Sequence, residues 1–245
     1  MADGLFDMMA KIIYPEVPLR YGDECRITVP AFDVGRDLEA FIRDTYPAVC
    51  PSPSGKLSPV FLHNPGVVHT DKVTGSRRSH DQVIAALDFI LAFTSAKDVD
   101  PGRIFILSPY ANIPLVGKIL KKNQKYSKLM ESMPEPMTVD SIQGQEHDIV
   151  VVIMGTNSKT GPGFTADQHR LNVMLTRHKC GLVVVGDVDA VNPPKWKGGI
   201  KRRKIDPTTN KMQTETVTGE VAYVNVSAVR SVYSHFRETG RVIGL

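Results

Sequence analysis

Two short polar stretches of the chain contain residue types that could do chemistry. Arg170 and Arg177 open and close the segment RLNVMLTR, seven residues apart. Seven residues are close to two helical turns, so on a helix both guanidinium groups would share one face. Such arginines could bind a phosphate group, or they could form ordinary surface ion pairs. Upstream, DSIQGQEHD (140–148) gathers carboxylates, a glutamine and Gly144 at one turn, which by composition is equally typical of a solvated polar turn.

A phosphate-binding loop of the type G-x-x-x-x-G-K-[ST] does not occur in the sequence. Gly55-Lys56 is followed by Leu57 instead of Ser or Thr, and Gly117-Lys118 has Asn112 in place of the first glycine. Asp187, after the apolar run LVVVG, is the nearest candidate for holding magnesium. Because an ordinary cap at a strand end explains Asp187 equally well, we predict no metal site in this chain.

The bulk composition is that of one large folded domain. The chain has 245 residues, of which 42% are hydrophobic and 23% charged, so it can bury a core. The net charge of +4 permits nucleic-acid binding without requiring it. Cys25, Cys50 and Cys180 are too scattered for a disulfide framework or a zinc site, which favours reduced thiols and a location in the nucleus or cytoplasm. We expect no signal peptide, and no apolar run reaches the length of a membrane span.

Apolar runs and helical periodicity alternate along the chain. The predicted strands cover 58–66, 104–107, 149–154 and 182–185. The predicted helices cover 79–95, 111–124, 170–177 and 226–240. Because several strands are apolar throughout, the pattern predicts an α/β fold with a mostly parallel sheet and helices on both faces. In such sheets ligands bind beyond the carboxyl ends of the strands, where we expect the segments SPY, DSIQGQE and GD.

The chain divides by composition into three parts. Residues 1–192 form the main α/β body, 193–220 a polar, basic and flexible insertion, and 221–245 a closing helix of the same body. The insertion includes KWKGGIKRRK (195–204), whose cations could grip phosphates, act as a nuclear-localisation-like patch, or belong to a solvated loop. Four of these cations are consecutive: Lys201, Arg202, Arg203 and Lys204.

Three motifs together carry a resemblance to a known family. TVDSIQGQEHDIVVVIMG and RLNVMLTRHKCGLVVVGD resemble motifs V and VI of superfamily 1 helicases of the nonsense-mediated-decay and Okazaki-fragment-processing type. ILSPYANIP (106–114) is similar to motif IV of the same lobe. The resemblance identifies the chain as a second, C-terminal RecA-like lobe. It implies a P-loop NTPase fold that lacks its own phosphate loop.

The resemblance also implies a nucleotide site. ATP with Mg²⁺ would be shared with a first lobe that holds the phosphate loop and the metal and that is absent from this chain. Arg177 would be the arginine finger, and Arg170 would brace motif V or reach the phosphates as well. Gln143, Gly144 and Glu146 would line the nucleotide, with Glu146 near the ribose hydroxyls.

The nucleic-acid contacts follow from the same resemblance. Five residues would face the backbone of single-stranded DNA or RNA or support its binding: Ser108, Pro109, Tyr110, Thr138 and Asp140. The chain departs from the family pattern in several places, with His178 at a usual alanine and Gln82 at a usual glutamate.

The sequence is compatible with two functions. The first is the C-terminal lobe of an ATP-dependent helicase, whose isolated chain is inactive and whose partners are single-stranded nucleic acid and the N-terminal lobe, with no membrane. The alternative is a non-catalytic remnant that binds nucleic acid or protein.

Overall fold

The computed structural model describes residues 1–110, 112–142, 144–191, 205–206, 208–215 and 220–245. The helices are α1 (Asp7–Ile13), α2 (Asp33–Thr45), α3 (His80–Lys97), α4 (Asn112–Lys122), α5 (Ser127–Ser132), α6 (Gln168–Met174) and α7 (Ser227–Glu238). The strands are β1 (Val60–His63), β2 (His69–Thr70), β3 (Arg77–Arg78), β4 (Ile104–Ser108), β5 (Met137–Thr138), β6 (His147–Ile153), β7 (His178–Gly186), β8 (Lys211–Glu215), β9 (Val221–Asn225) and β10 (Val242–Gly244).

Six of these strands form one sheet in the order β10-β1-β7-β6-β4-β5. Each pair of neighbours in it is parallel. The central strands β4, β6 and β7 are almost entirely buried, because helices cover both faces of the sheet. This is the RecA-like α/β fold that the sequence predicts.

Alternate residues of each central strand enter one of two hydrophobic cores. On β1, Val60 and Leu62 pack with helices α2 to α5, whereas Phe61 packs with α1, α6 and α7. The same alternation along β4 sends Ile106 to the first core and Leu107 to the second. The sheet is therefore the rigid layer that fixes where its strand ends, and the residues next to them, lie.

Two antiparallel hairpins lie outside this sheet. β2 pairs with β3, and β8 pairs with β9 through five residue pairs. β8 lies within the segment 193–220, so part of the predicted flexible insertion has a regular strand conformation. No helix in the described part of the chain combines the length and the apolar character needed to cross a membrane.

Local signals explain where the key helices begin and end. Ser79 caps α3, because its Oγ accepts a hydrogen bond from the Gln82 amide at 3.3 Å. Asp167 caps α6 in the same way. α6 ends at Met174, since β7 begins at His178 and strand pairing replaces the helical hydrogen bonds. The prediction that one helix carries both Arg170 and Arg177 is therefore wrong.

Candidate functional site

The motif residues occupy two opposite edges of the sheet. Ser108 ends β4 and Thr138 ends β5, so both lie at the carboxyl edge. Gly144 and Glu146 directly precede β6, and Arg177 directly precedes β7, so these three lie at the amino edge. The prediction that the whole segment DSIQGQE lies beyond the carboxyl ends is therefore wrong for Gly144 and Glu146.

The turn between β5 and β6 explains this separation. β5 has only two residues, and its register places Thr138 beside Ser108 at the carboxyl edge. The chain must then cross the sheet before β6 can begin. Val139 and Ile142 bury their side chains in the core formed with α6 and α7, which attaches the crossing segment to the face of the sheet.

Backbone pairing brings the two nucleotide motifs together at the amino edge. The His147 amide donates a hydrogen bond to the Arg177 carbonyl at 2.9 Å, and His147 pairs with His178 across β6 and β7. Glu146 and Gly144 are exposed there, and Gly144 has a φ of +79°, which a residue with a side chain rarely adopts. The structure thus brings exposed Gly144 and Glu146 and half-buried Arg177 to one corner at the amino edge.

The Arg177 side chain folds back onto the end of α6. Its Nε donates to the Val173 carbonyl at 3.2 Å, and its Nη2 donates to Thr176 Oγ1 at 3.3 Å. A cation is favourable at the C-terminus of a helix, where carbonyl groups lack helical partners. Among the described residues, no carboxylate forms an ion pair with Arg177. Within the described residues, two of its roughly five N–H donors are used, and the others can bind an anion.

Arg170 lies in a different environment, in the first turn of α6. Its Nε and Nη2 donate to the two Asp140 carboxylate oxygens at 3.2 and 3.4 Å. Its guanidinium carbon also lies 5.0 Å from the centre of the Phe164 ring. Of the two roles that the resemblance left open for Arg170, this geometry favours bracing the turn that contains Asp140.

Ser108 and Asn112 belong to a buried polar network at the carboxyl edge. Ser108 Oγ donates to the Ile153 carbonyl at 2.8 Å and accepts from Asn112 Nδ2 at 3.1 Å. Asn112 Oδ1 accepts from the Ser79 amide at 2.9 Å. Because Ser108 is fully buried, it can support a nucleic-acid contact but cannot face the ligand.

Tyr110 is likewise buried, with 3% of its surface exposed. Its hydroxyl accepts from the Phe164 amide at 2.6 Å and donates to the Pro162 carbonyl at 3.3 Å. Its ring stacks on Phe164 at 5.2 Å, and the Arg77 guanidinium lies 5.4 Å from the ring centre. Burial raises the pKa of Tyr110, so the hydroxyl stays protonated and keeps donating. Tyr110 therefore anchors the loop before α6 and does not face solvent.

The remaining predicted nucleic-acid residues differ in exposure. Asp140 is exposed, whereas Pro109 and Thr138 are half-buried. The Thr138 and Ser141 hydroxyls lie 2.8 Å apart, which tightens the turn after β5. Five predicted site residues lie outside the described residues: Gln143, Lys201, Arg202, Arg203 and Lys204.

Asp187 follows β7 and is close to His63 and Asp189. Its Oδ2 accepts from the Ser158 amide at 2.7 Å, and its Oδ1 accepts from the Asp189 amide at 2.8 Å. His63 Nδ1 accepts from the Val188 amide at 3.2 Å. Backbone N–H groups thus bind both Asp187 carboxylate oxygens and His63 Nδ1, as in a cap at the strand end.

Two residues with a place in the site were not singled out in the sequence. Phe164 is exposed at the carboxyl edge, and Arg77 reaches from β3 to the loop that carries Phe164. The run Gly161-Pro162-Gly163 signals a tight loop before the helix. It does not indicate which partner holds that loop, because the hairpin with Arg77 is about 80 residues earlier in the sequence.

The chain is similar to known proteins, both to a family and to single relatives. A family model described as AAA domain matches residues 44–189, which is more than half of the chain. "Regulator of nonsense transcripts 1" of Dictyostelium discoideum is 33% identical over 107 residues, covering 42% of this chain and 8% of the relative.

Two further relatives are named as helicases. "Helicase sen1" of Schizosaccharomyces pombe is 37% identical over 101 residues, covering 40% of this chain and 6% of the relative. "DNA polymerase alpha-associated DNA helicase A" of Saccharomyces cerevisiae is 29% identical over 121 residues, covering 49% of this chain and 17% of the relative. The matched part is thus a small fraction of each relative's length.

Proposed function

The chain belongs to the AAA domain family, and from this premise we propose that it is the second RecA-like lobe of a superfamily 1 helicase. In that role it supplies an arginine finger and part of a nucleic-acid track to a two-lobed, ATP-dependent motor. The substrate is a single-stranded nucleic acid, either DNA or RNA. The names of two relatives as helicases and the small share of each relative that is matched support this assignment.

The observation that carries the proposal is the shared corner of Gly144, Glu146 and Arg177. The hydrogen bond from the His147 amide to the Arg177 carbonyl holds the two motifs together. A nucleotide bound against this corner would meet backbone at Gly144, where no side chain stands in the way. The Glu146 carboxylate could accept hydrogen bonds from ribose hydroxyls, and the Arg177 guanidinium could neutralise charge on the γ-phosphate.

An arginine finger accelerates the reaction by stabilising its transition state. Phosphoryl transfer spreads negative charge over the transferring oxygens, and an arginine supplied across a cleft is worth roughly 10³ to 10⁵ in rate. Arg177 is well suited to this because its guanidinium is already held at the end of α6, while several of its N–H donors remain available. Mg²⁺ and the phosphate loop belong to the first lobe in this proposal.

The test is ATP turnover by a fusion of this chain to the first lobe of a helicase relative. With saturating single-stranded nucleic acid, Arg177→Ala should lower turnover by roughly 10³-fold or more. Nucleic-acid affinity should not change, because the lost charge acts mainly in the transition state. Arg177→Lys should restore little, since an ammonium group lacks the guanidinium fork.

Arg43→Ala provides the matched control, because Arg43 is an exposed arginine on α2 and should leave turnover unchanged. Near-normal turnover by the Arg177→Ala fusion would remove Arg177 from the finger role and make Arg170 the next residue to test. A folded fusion that binds nucleic acid but never hydrolyses ATP would instead support the non-catalytic binding module.

A further inference from the structure

An exposed aromatic ring lies at the carboxyl edge of the sheet. Phe164 keeps 44% of its surface exposed, in the short turn Gly163–Ala166 that leads into α6. A single exposed apolar residue is ordinary on a protein surface. What sets Phe164 apart is the number of contacts that hold it in place.

The ring is positioned by its neighbours. The Phe164 amide donates to the Tyr110 hydroxyl at 2.6 Å, and the two rings stack with 17° between their planes. Gly163 has a φ of +53°, and a Cβ there would collide with the Tyr110 hydroxyl and the Arg77 guanidinium. Only glycine lets the loop approach so closely, so the position of the Phe164 ring follows from the packing of buried Tyr110.

The loop that presents Phe164 is itself tied down. Arg77 donates to the Gly161 and Thr160 carbonyls at 2.6 and 2.9 Å. Asn157 Oδ1 accepts from the Thr160 amide at 2.9 Å, and Asn157 Nδ2 donates to the Gly66 carbonyl at 3.0 Å. A ring held in this way loses little conformational entropy when a ligand stacks on it.

One cation lies against the ring, and others are exposed on neighbouring segments. The Arg170 guanidinium lies 5.0 Å from its centre, Lys159 is exposed on the same loop, and Arg78 is exposed beside Arg77. Asp140, through its ion pair with Arg170, and exposed Asp167, three residues after Phe164, offset part of this charge. An exposed ring among cations suits a nucleic-acid strand better than an apolar protein partner, because a strand offers both bases and phosphates.

We propose that Phe164 is a base-stacking platform: Tyr110 supports one face of its ring, and one base of a bound single strand takes the place of Arg170 over the ring, while Arg170 and Lys159 move onto the flanking phosphates. This inference rests on the proposed function, and it adds a base contact to a track otherwise expected to hold the backbone. Stacking on an aromatic ring tolerates any base, so the contact fits a motor that moves along many sequences.

The test compares two strands of equal length and charge, an oligothymidylate and its abasic counterpart, by fluorescence anisotropy with the 245-residue chain. The unsubstituted chain should bind the base-containing strand at least about 5-fold more tightly. Phe164→Leu should remove this preference while leaving affinity for the abasic strand unchanged. Phe164→Tyr, which keeps the ring, should retain the preference.

The outcomes separate this inference from the proposed function. Phe164 is not the platform if both strands bind equally to the unsubstituted chain, or if Phe164→Leu keeps the preference. In either case, salt-sensitive binding of both strands would still support a nucleic-acid-binding lobe. If neither strand binds even at low salt, the nucleic-acid role fails and the platform with it. Should Phe164→Leu fail to fold, Phe164→Met carries the same comparison, because its flexible side chain can still cover Tyr110.

Discussion

At the scale of single residues, a buried histidine stands directly beside the proposed finger. His178 is 1% exposed, and neither ring nitrogen has a hydrogen-bond partner of good geometry among the described residues. Burial lowers the pKa of His178 to about 3, although the nearby Leu5 backbone favours the protonated form slightly. The imidazole is therefore neutral at physiological pH and adds no charge to the corner that contains Arg177.

This depressed pKa predicts a pH dependence of stability. The unfolded chain protonates His178 near pH 6.5, whereas the folded chain does so only near pH 3. Between these values the unfolded state binds more protons, so the free energy of unfolding falls as the pH drops below about 6.5, by up to ~1.4 kcal/mol per pH unit. Urea unfolding of the unsubstituted chain and of His178→Ala at several pH values measures this contribution.

The alanine variant should lack this part of the pH slope, although the cavity that it leaves lowers stability at every pH. Equal slopes for the two proteins from about pH 6.5 down to about pH 4 would show that His178 does not titrate as its burial requires. Alanine is the informative replacement here because it stands at this position in the family pattern that the chain resembles.

The sequence identified residue types better than their surroundings. Arg177 and Glu146 could be singled out because their motifs have a fixed order and spacing. The burial of Ser108 and Tyr110 could not be predicted, because a hydroxyl group at the end of a strand can point outward or inward. The loop that covers these residues also lies about 50 residues later in the sequence. Phe164 was missed because one aromatic among glycines and prolines has no periodicity to reveal its role.

At the scale of elements, the central strands were predicted well, whereas the end of α6 was not. The apolar runs of β4, β6 and β7 are typical of strands buried on both faces, and the structure confirms them. α6 was predicted too long because its helical pattern continues in the sequence beyond Met174. A sequence pattern cannot reveal that the neighbouring strand β6, which starts at His147, forms a hydrogen bond with the backbone of Arg177.

The loop 155–167 gives a prediction at this scale. Arg77→Ala removes two charged hydrogen bonds to the Thr160 and Gly161 carbonyls and the guanidinium above the Tyr110 ring. A hydrogen bond to a charged group contributes about 1.5–3 kcal/mol, and solvent reduces this at half-buried Arg77. The variant should therefore lose at least about 2 kcal/mol in its free energy of unfolding, measured with urea. The exposed neighbour Arg78 offers a matched control.

Arg78→Ala should change the same quantity by less than about 0.5 kcal/mol, as surface substitutions commonly do. Equal effects of the two substitutions would mean that Arg77 does not anchor the loop. In that case the fixed position of Phe164 would depend on Tyr110 alone.

At the scale of the whole molecule, the sheet separates two kinds of candidate site. The nucleotide candidates lie at the amino edge and most nucleic-acid candidates at the carboxyl edge, with α6 running between them from Arg170 to just before Arg177. The resemblance to superfamily 1 helicases is confirmed by the family match and the relatives. The sequence does not predict at which edge of the sheet each site lies. That location depends on how the segment after β5 crosses the sheet, which the sequence does not reveal.

A buried ion pair joins the end of the described chain to its beginning. Arg241, 2% exposed, donates through Nη1 and Nη2 to the two Glu39 carboxylate oxygens at 3.1 and 2.7 Å. It also donates to the Cys50 and Ser58 carbonyls at 2.8 and 3.1 Å. Arg241 directly precedes β10, which among the described strands pairs with β1 alone and is the outermost strand of the sheet. The ion pair therefore attaches this outermost strand to α2.

Removing one partner of this pair should destabilise the whole domain. Glu39→Ala leaves the Arg241 charge buried without a carboxylate, and breaking such a pair costs about 3–5 kcal/mol. Urea unfolding should show this loss in one cooperative transition, because β10 and α2 pack into the same core. Glu131→Ala, at an exposed position on α5, should cost less than about 0.5 kcal/mol. If Glu39→Ala cost no more than that control, or if β10 melted in a separate step, the last strand would not be an integral part of the sheet that positions both candidate sites.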